Sequence, residues 1–286
     1  MELPKSILRK IIKEFLEVDV GFGDITTNTL IQDKIHATAE IKARENGVIA
    51  GIQEAIMVFE LMNIKILDNI EDGSAVKKNQ TILRIKGRAK DILTAERTAL
   101  NILMRMSGIA TETNSVIKIV RGINNVTRIA CTRKITPGFQ YFEKRAVSLG
   151  GGDTHRFNLD DEIMIKDNHL SIFGDIKEAI EKIRKEISFS KKIEVEVETI
   201  DQVLEAANAG ADIIMFDNFT PVKATEALKL LEEKGLRDKV TIEFSGGINK
   251  NNVSAYAKLN PDVISMGYLI HSSKSLNINL EFVETK

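Results

Sequence analysis

Two hydrophobic rhythms divide this chain of 286 residues, and the change falls after residue 121. Before it, apolar residues at helical spacing predict three helices, over 4–17, 52–62 and 89–121. The last of these is expected to break near Ser107-Gly108, and the turn-rich residues 21–27 to form a loop. Alternating or short apolar runs predict strands over 37–50, 63–67 and 80–86. We therefore expect a first domain of helices and short antiparallel strands.

After residue 121, short apolar runs alternate with helical patterns. Six strands are predicted, over 126–131, 161–166, 192–197, 211–216, 240–245 and 262–266. Five helices fit the same stretch, over 138–149, 175–187, 200–209, 221–234 and 250–258. The later strands are apolar on both faces, which is typical of parallel strands in a barrel or a doubly wound sheet. Residues 275–283 alternate strictly and predict one more strand, expected to return to the first domain's sheet.

Basic residues cluster where three consecutive predicted units end or turn. They are Arg133, Lys134, His155, Arg156 and Lys166. In a βα barrel, the carboxyl ends of the strands carry the chemistry. Clustered like charges repel unless an anion neutralises them, and guanidinium groups match carboxylates and phosphates well. We expect a small polyanionic ligand here, and the alternative is a set of solvated surface cations.

Acidic residues follow the same pattern on the next strands. Glu196 and Asp217 lie at the ends of two adjacent strands, and Glu194, Glu196 and Glu198 share one face of theirs. Such carboxylates suit sugar hydroxyls or a hydrated Mg²⁺. The alternative is that they pair with the nearby lysines and arginines. Cations and carboxylates together favour a phosphorylated sugar with a metal.

Glycines end the last two strands and favour a phosphate site. Ser245-Gly246-Gly247 and Gly267 allow backbone N–H groups to approach an anion closely, although tight turns alone also explain them. His271 is a candidate for the same phosphate. His169 is interpreted as a structural histidine, and Cys131 as a small buried residue.

Composition excludes several classes of protein. The chain has 40 Lys and Arg against 41 Asp and Glu, so no global positive field draws nucleic acid. The single cysteine cannot form an intrachain disulfide, which indicates a reducing, cytoplasmic setting. No apolar run approaches the roughly 18 residues that a membrane helix needs.

Several strings together resemble the quinolinate phosphoribosyltransferase (carboxylating nicotinate-nucleotide pyrophosphorylase) family. They are Gly23–Thr27, Ala95–Asn101, Ser107–Thr111, Thr132–Gly138, Gly150–Arg156, Ile165–His169, Glu194–Glu196, Asp217-Asn218 and Ser245–Ile248. The resemblance implies an α/β fold: an N-terminal open-faced α/β sandwich and an incomplete (β/α) barrel of about six to seven strands. The expected bounds are 1–105 joined by 272–286 for the sandwich, and 106–271 for the barrel.

The resemblance also implies a reaction, in which quinolinate and phosphoribosyl pyrophosphate give nicotinate mononucleotide, pyrophosphate and CO₂, with Mg²⁺. It assigns the quinolinate carboxylates to Arg97, Arg133, His155, Arg156 and Lys166. It assigns the pyrophosphate to Lys134 and Lys166, the ribose and metal to Glu196 and Asp217, and the 5′-phosphate to Ser245, Gly246, Gly247 and Gly267. Catalysis is expected from Lys134, Lys166, Glu196 and Asp217. A homodimer or homohexamer is implied, with Arg97 supplied by the neighbouring subunit.

Three positions depart from the family pattern, and two other functions stay open. Ile135 stands for a threonine, Asn158 for a glycine and Phe244 for a small residue, and no charged group is lost. One alternative is a related phosphoribosyltransferase, either one that uses nicotinate without decarboxylation or the paralogue associated with molybdate transport. The other is a catalytically silent phosphosugar-binding protein.

Overall fold

The computed structural model describes residues 2–285. Met1 and Lys286, which fall inside the expected domain bounds, lie outside the described residues. The chain divides into two compact units. The first takes in the chain up to Asn114, Thr136–Gly151 and the chain from Ser273 onward, and the second takes in Ser115–Ile135 and Gly152–Ser272.

The first unit contains an antiparallel sheet with helices. Its strands are β1 (His36–Ala43), β2 (Gly47–Val48), β3 (Lys65–Asn69), β4 (Ala75–Val76), β5 (Thr81–Arg88) and, from the end of the chain, β12 (Ile278–Thr285). Its helices are α1 (Lys5–Val20), α2 (Ile25–Leu30), α3 (Ile52–Leu61), most of α4 (Ala89–Arg121), and α5 (Gln140–Leu149). The main sheet has the order β12-β1-β5-β3. The expected return of the C-terminal strand to this sheet is confirmed by the antiparallel pairing of β12 with β1.

Two local predictions in this unit are wrong. The helix α4 runs unbroken through Ser107-Gly108, because these residues serve packing: Ser107 Oγ bonds the backbone of Ala50, and a Cβ on Gly108 would lie 2.0 Å from the carbonyl oxygen of Lys274. The loop predicted over 21–27 ends early, since Asp24 accepts a hydrogen bond from Thr27 N and starts α2.

The second unit is built on a six-stranded parallel sheet. Its strands are β6 (Arg128–Ala130), β7 (Ile163–Ile165), β8 (Ile193–Val197), β9 (Ile213–Asp217), β10 (Thr241–Ser245) and β11 (Val263–Ser265). Its helices are α6 (Asp167–Phe173), α7 (Ile176–Glu186), α8 (Ile200–Asn208), α9 (Pro221–Glu233), α10 (Val253–Ala257) and α11 (Tyr268–His271), with a 3₁₀ turn at Arg237–Lys239. All six predicted strands are present, and α6 and α11 were not predicted.

The strand order distinguishes a barrel from a doubly wound sheet, the two topologies that the hydrophobic pattern left open. The order β6-β11-β10-β9-β8-β7 places β7 to β11 side by side in chain order and seats β6 beside β11. In a doubly wound sheet the order of the strands reverses at an interior strand, and the strand order of this sheet shows no such reversal. The unit is therefore an incomplete (β/α) barrel, with no pairing between β6 and β7 in the described chain. All carboxyl strand ends lie at one rim.

The segment 136–151 groups with the first unit, although it was expected in the barrel. The reason lies in the buried face of α5, where Arg145 is 3% exposed and pairs with Asp72 at 3.0 Å and Glu54 at 3.4 Å. Asp72 in turn accepts hydrogen bonds from the backbone N–H groups of Gly51 and Ile52 at the start of α3. These ionic contacts tie α5 to the first unit. No helix within residues 2–285 is long and apolar enough to cross a membrane.

Candidate active site

A polar cavity of about 430 Å³ lies at the carboxyl rim of the barrel. It is lined by Thr132, Arg133, Lys134, His155, Arg156, Met164, Lys166, Glu196, Met215, Asp217, Asn218, Ser245, Gly246, Gly247 and Ser265. Ten of the residues predicted from the sequence thus line one cavity. The strand ends explain this convergence, since all six strands are parallel.

The guanidinium groups of Arg156 and Arg133 are two of the four Lys and Arg side chains that line the cavity, against the two carboxylates of Glu196 and Asp217. Arg156 is only 7% exposed, and its pKa is lowered by burial and by the charge of Arg133. Carboxylates of the barrel interior, at Glu194 first, partly counter this effect. An arginine keeps its proton in proteins, so the lowered pKa means that the ligand-free cavity holds this cation at a cost. An anion with two or more charges would remove that cost.

Arg156 follows a short segment that extends the sheet beyond β6. Asp153 N donates to the carbonyl of Ile129 at 2.8 Å, and Cys131 N donates to the carbonyl of Asp153 at 3.0 Å. His155 then adopts a left-handed conformation with φ 52°. The chain therefore turns sharply at His155, just before the arginine that lines the cavity.

His155 is engaged inside the protein through both ring nitrogens. Nδ1 accepts from the backbone N–H of Arg156 at 2.8 Å, and Nε2 contacts Glu243 Oε2 at 3.0 Å. The sequence predicts that His155 holds substrate carboxylates. It gives no sign that Glu243 is a partner of the ring, because Glu243 lies 88 positions away. In the structure this ring lines the cavity with its nitrogens already partnered.

The carboxylates of Glu196 and Asp217 lie with Lys166 on neighbouring strand ends. Lys166 Nζ is 3.6 Å from Glu196 Oε2. Burial raises the pKa of Glu196, Lys166 lowers it, and the charge of Asp217 raises it further. Asp217 Oδ2 accepts a hydrogen bond from the side chain of Asn218 at 2.6 Å. Two neighbouring carboxylates that offer oxygen ligands form a set that suits Mg²⁺.

The glycines after β10 form a concave turn beside these carboxylates. Gly246 and Gly247 have φ values of 87° and 62°, and a Cβ on Gly246 would lie 2.4 Å from Asn218 Oδ1. Glycines in such a turn allow backbone N–H groups to approach an anion closely. A Cβ on Gly267 would lie 2.9 Å from Lys134 Cδ, so Lys134 and this strand end are in close contact.

His271 and His169 take different places. His271 lies against Gly267, as a Cβ there would be 3.2 Å from its ring, and Nδ1 bonds Ser272 Oγ. His169 Nδ1 accepts from the backbone N–H of Lys166 at 3.0 Å, which confirms its structural interpretation. Cys131 is fully buried, as expected of a small core residue.

Arg97 lies in the first unit, and Phe244 lies in the barrel core. Arg97 belongs to the first unit, where its guanidinium contacts Glu96 and its side chain is 62% exposed. Phe244 is buried and packs on Phe216 with ring centroids 5.4 Å apart, so this departure from the family pattern fills the core.

A second group of acids lies deeper in the barrel and was largely missed by sequence reasoning. Glu162, Glu194 and Glu243 line or underlie a cavity of about 710 Å³ at the amino-terminal side of the strands, which shares His155 and Arg156 with the first. Burial raises the pKa of Glu162, and burial with the charge of Glu243 raises that of Glu194 well above its usual value. Glu194 and Glu243 precede the rim residues Glu196 and Ser245 by two positions. Residues two apart in a strand share one face, so this spacing was the sequence signal that could have placed both acids inside the barrel.

Two family models match almost the whole described chain. The quinolinate phosphoribosyl transferase N-terminal domain matches residues 24–107, and the C-terminal domain matches residues 109–281. A probable carboxylating nicotinate-nucleotide pyrophosphorylase of Methanothermobacter thermautotrophicus is 48% identical over 271 residues, covering 95% of this chain and 97% of its own. The carboxylating nicotinate-nucleotide pyrophosphorylase of Dictyostelium discoideum is 36% identical, with 98% and 97% covered.

Comparison with solved structures also finds similarity to nicotinate-nucleotide pyrophosphorylases. The nicotinate-nucleotide pyrophosphorylase of Francisella tularensis superposes with a TM-score of 0.91 at 36% identity, covering 98% of each chain. Human nicotinic acid phosphoribosyltransferase superposes with a TM-score of 0.61 at 11% identity, which shows a shared fold alone.

Proposed function

Since this chain belongs to the quinolinate phosphoribosyltransferase family, we propose that it transfers the phosphoribosyl group of phosphoribosyl pyrophosphate to quinolinate. The products are nicotinate mononucleotide, pyrophosphate and CO₂, a step in the de novo synthesis of NAD. The observation that carries the proposal is the buried Arg156 beside Arg133, since a dianion relieves the repulsion that this pair otherwise suffers.

The two adjacent carboxylates of quinolinate fit the basic side of the rim cavity. Arg156 and Arg133 supply planar donor groups, and Lys166 supplies a mobile point charge. Arg97 of a neighbouring subunit completes the set in a homodimer or homohexamer, and its exposed guanidinium supports this role. His155 contributes through Arg156, since its own nitrogens are partnered.

The glycine turn and the carboxylates suit phosphoribosyl pyrophosphate. Gly246 and Gly247 offer backbone donors for the 5′-phosphate, together with Ser245 Oγ, Gly267 and His271. Glu196 and Asp217 face the ribose hydroxyls and would hold Mg²⁺, directly or through water. When bound, Mg²⁺ neutralises the pyrophosphate charge and orients the leaving group.

Transition-state stabilisation follows from the same residues. As the bond from C1 to pyrophosphate lengthens, positive charge develops on the ribose, and the carboxylates of Glu196 and Asp217 stabilise it. Lys134 and Lys166 donate to the departing pyrophosphate. The quinolinate nitrogen attacks C1 and becomes cationic, so the ring accepts the electron pair that CO₂ leaves behind at C2. A proton then replaces CO₂ at that carbon.

Turnover tests the proposal directly. The protein is incubated with phosphoribosyl pyrophosphate and Mg²⁺, with either quinolinate or nicotinate, and mononucleotide and CO₂ are followed. Quinolinate should be converted with release of CO₂, and chelation of Mg²⁺ should stop the reaction while quinolinate binding persists. Conversion of nicotinate alone would favour the non-decarboxylating alternative, and conversion of neither would favour a silent binding protein. The single, buried and unpaired thiol of Cys131 supports a reducing, cytoplasmic location.

A further inference from the structure

The buried carboxylate of Glu243 is connected to the substrate cavity through one histidine. We propose that Glu243 is a positioning residue, which holds the His155 ring in the orientation that directs Arg156 toward the quinolinate carboxylates. The inference rests on the proposed function and adds to it a residue that does not itself line the rim cavity. It is carried by the chain of contacts from Glu243 to His155 to Arg156.

The backbone at His155 has an uncommon conformation that side-chain contacts support. A left-handed φ of 52° is uncommon for residues other than glycine, although histidine adopts it more often than most, and it persists where surrounding contacts hold it. Three contacts do so here. Asp153 Oδ1 accepts from His155 N at 2.8 Å, Nδ1 accepts from Arg156 N at 2.8 Å, and Nε2 meets Glu243 at 3.0 Å. Of the two carboxylates that approach Nε2 from other strands, Glu243 on β10 is nearer, at 3.0 Å, than Glu194 on β8, at 3.5 Å.

The contacts also fix the tautomer of His155. A backbone N–H can only donate, so Nδ1 is the accepting nitrogen and carries no proton. The ring proton is therefore on Nε2, and Glu243 Oε2 accepts it. Glu243 is 1% exposed, so this hydrogen bond is shielded from competing water. Both partners thus select one ring orientation.

This tautomer argues against a metal ion in the same cluster. Ligand atoms of His155, Glu162 and Glu194 lie within 4.8 Å of one another, a spacing that a cation could bridge. The ring faces these acids with Nε2, 3.5 Å from Glu194 Oε2. Coordination through Nε2 would require the proton on Nδ1, where the N–H of Arg156 already points. The geometry therefore supports a hydrogen bond at Nε2.

Glu194 offers a matched comparison inside the same cluster. Both Glu194 and Glu243 are buried and carry oxygens without a hydrogen-bond partner among residues 2–285. Glu243 Oε2 is the nearer of the two to His155 Nε2, at 3.0 Å against 3.5 Å for Glu194 Oε2. Removal of the Glu243 acceptor should therefore release the His155 ring, whereas removal of the Glu194 carboxylate should leave the ring hydrogen-bonded to Glu243.

Steady-state kinetics on the full-length protein test the positioning role. In Glu243→Met, which keeps the side-chain length but removes the acceptor, KM for quinolinate should rise about tenfold, equivalent to about 1.4 kcal/mol. KM for phosphoribosyl pyrophosphate should stay within about twofold of the wild-type value, because the glycine turn is untouched. Glu243→Gln, whose amide oxygen accepts the same proton, should recover most of the quinolinate affinity. Glu194→Gln should leave KM for quinolinate within about twofold of wild type.

The results that would overturn the proposal are distinct. An unchanged quinolinate KM in Glu243→Met, an equal rise in both KM values, or equal losses in the Gln and Met variants would each reject it. Failure of the wild-type protein to convert quinolinate would reject the proposed function instead.

A measurement on the wild-type protein decides the matter even if Glu243→Met does not fold. The chain has four histidines, so ¹⁵N-histidine labelling gives few signals, and His155 is assigned by its loss in His155→Gln. Near neutral pH, its nitrogen shifts should report a neutral ring protonated at Nε2. A ring protonated at Nδ1, or an imidazolium, would contradict the proposal.

Discussion

Replacement of Arg156 by methionine separates ligand recognition from stability. Methionine fills similar volume without charge, so Arg156→Met removes the guanidinium while limiting the cavity that it leaves. Truncation of one partner of a buried, hydrogen-bonded charge pair costs about 2–5 kcal/mol. Arg156 is 7% exposed, so the full range applies, and the dissociation constant for quinolinate should rise about 30- to 5,000-fold.

The ligand-free protein should respond in the opposite sense. Burial and Arg133 together lower the pKa of Arg156, which means that its charge is disfavoured without an anion. The melting temperature of ligand-free Arg156→Met should therefore equal or exceed that of the wild type, while quinolinate should no longer raise it. Calorimetric titration with quinolinate and thermal melts with and without it measure both effects.

Arg156→Lys is the control, because it keeps the charge and loses the planar pair of donors. It should bind quinolinate with an affinity between those of the wild type and Arg156→Met. Unchanged quinolinate binding in Arg156→Met, or an equal loss of phosphoribosyl pyrophosphate binding, would refute the division of the cavity between the two substrates.

Three other perturbations test separate parts of the site. Inactive Arg97→Ala and Lys166→Ala proteins should regain activity when unfolded together and refolded as a mixture, since hybrid oligomers would contain intact sites; no recovery would contradict a shared site. Gly246→Ala, which places a Cβ 2.4 Å from Asn218 Oδ1, should raise KM for phosphoribosyl pyrophosphate at least tenfold and leave quinolinate binding unchanged by calorimetry. The pKa of Glu194 is raised in the folded state, so its protonated form is favoured there. The free energy of unfolding therefore falls as pH rises above the ordinary glutamate pKa, because the buried carboxyl group must then either keep its proton or become charged. Glu194→Gln should thus gain melting temperature relative to wild type, more at pH 8 than at pH 5, and a uniform or inverted difference would contradict this.

The barrel could be predicted from sequence because its signals are local. Each strand is a short apolar run, and many polar groups of the rim follow such a run directly, as Asp217 and Ser245 do, whereas His155 and Arg156 lie in the loop between α5 and β7. Parallel order then brings the groups together without further information. The C-terminal strand was also predictable, since its alternation of period two persists beyond the last βα unit.

Long-range contacts account for what the sequence could not show. Ser107-Gly108 resembles a helix break, and only the approach of Lys274 explains why a small residue is needed there. Glu243 and His155 are separated by 88 positions, so neither the tautomer nor the partnered state of the ring was visible. The placement of α5 follows from ionic contacts of Arg145 that cross 73 or more positions.

The most direct measurement is the stoichiometry of a single reaction mixture. With quinolinate labelled in the 2-carboxyl group, and phosphoribosyl pyrophosphate and Mg²⁺ present, labelled CO₂, pyrophosphate and nicotinate mononucleotide should form in equal amounts. The release of pyrophosphate without labelled CO₂, or the absence of any mononucleotide, would contradict the assignment of this barrel to decarboxylating phosphoribosyl transfer.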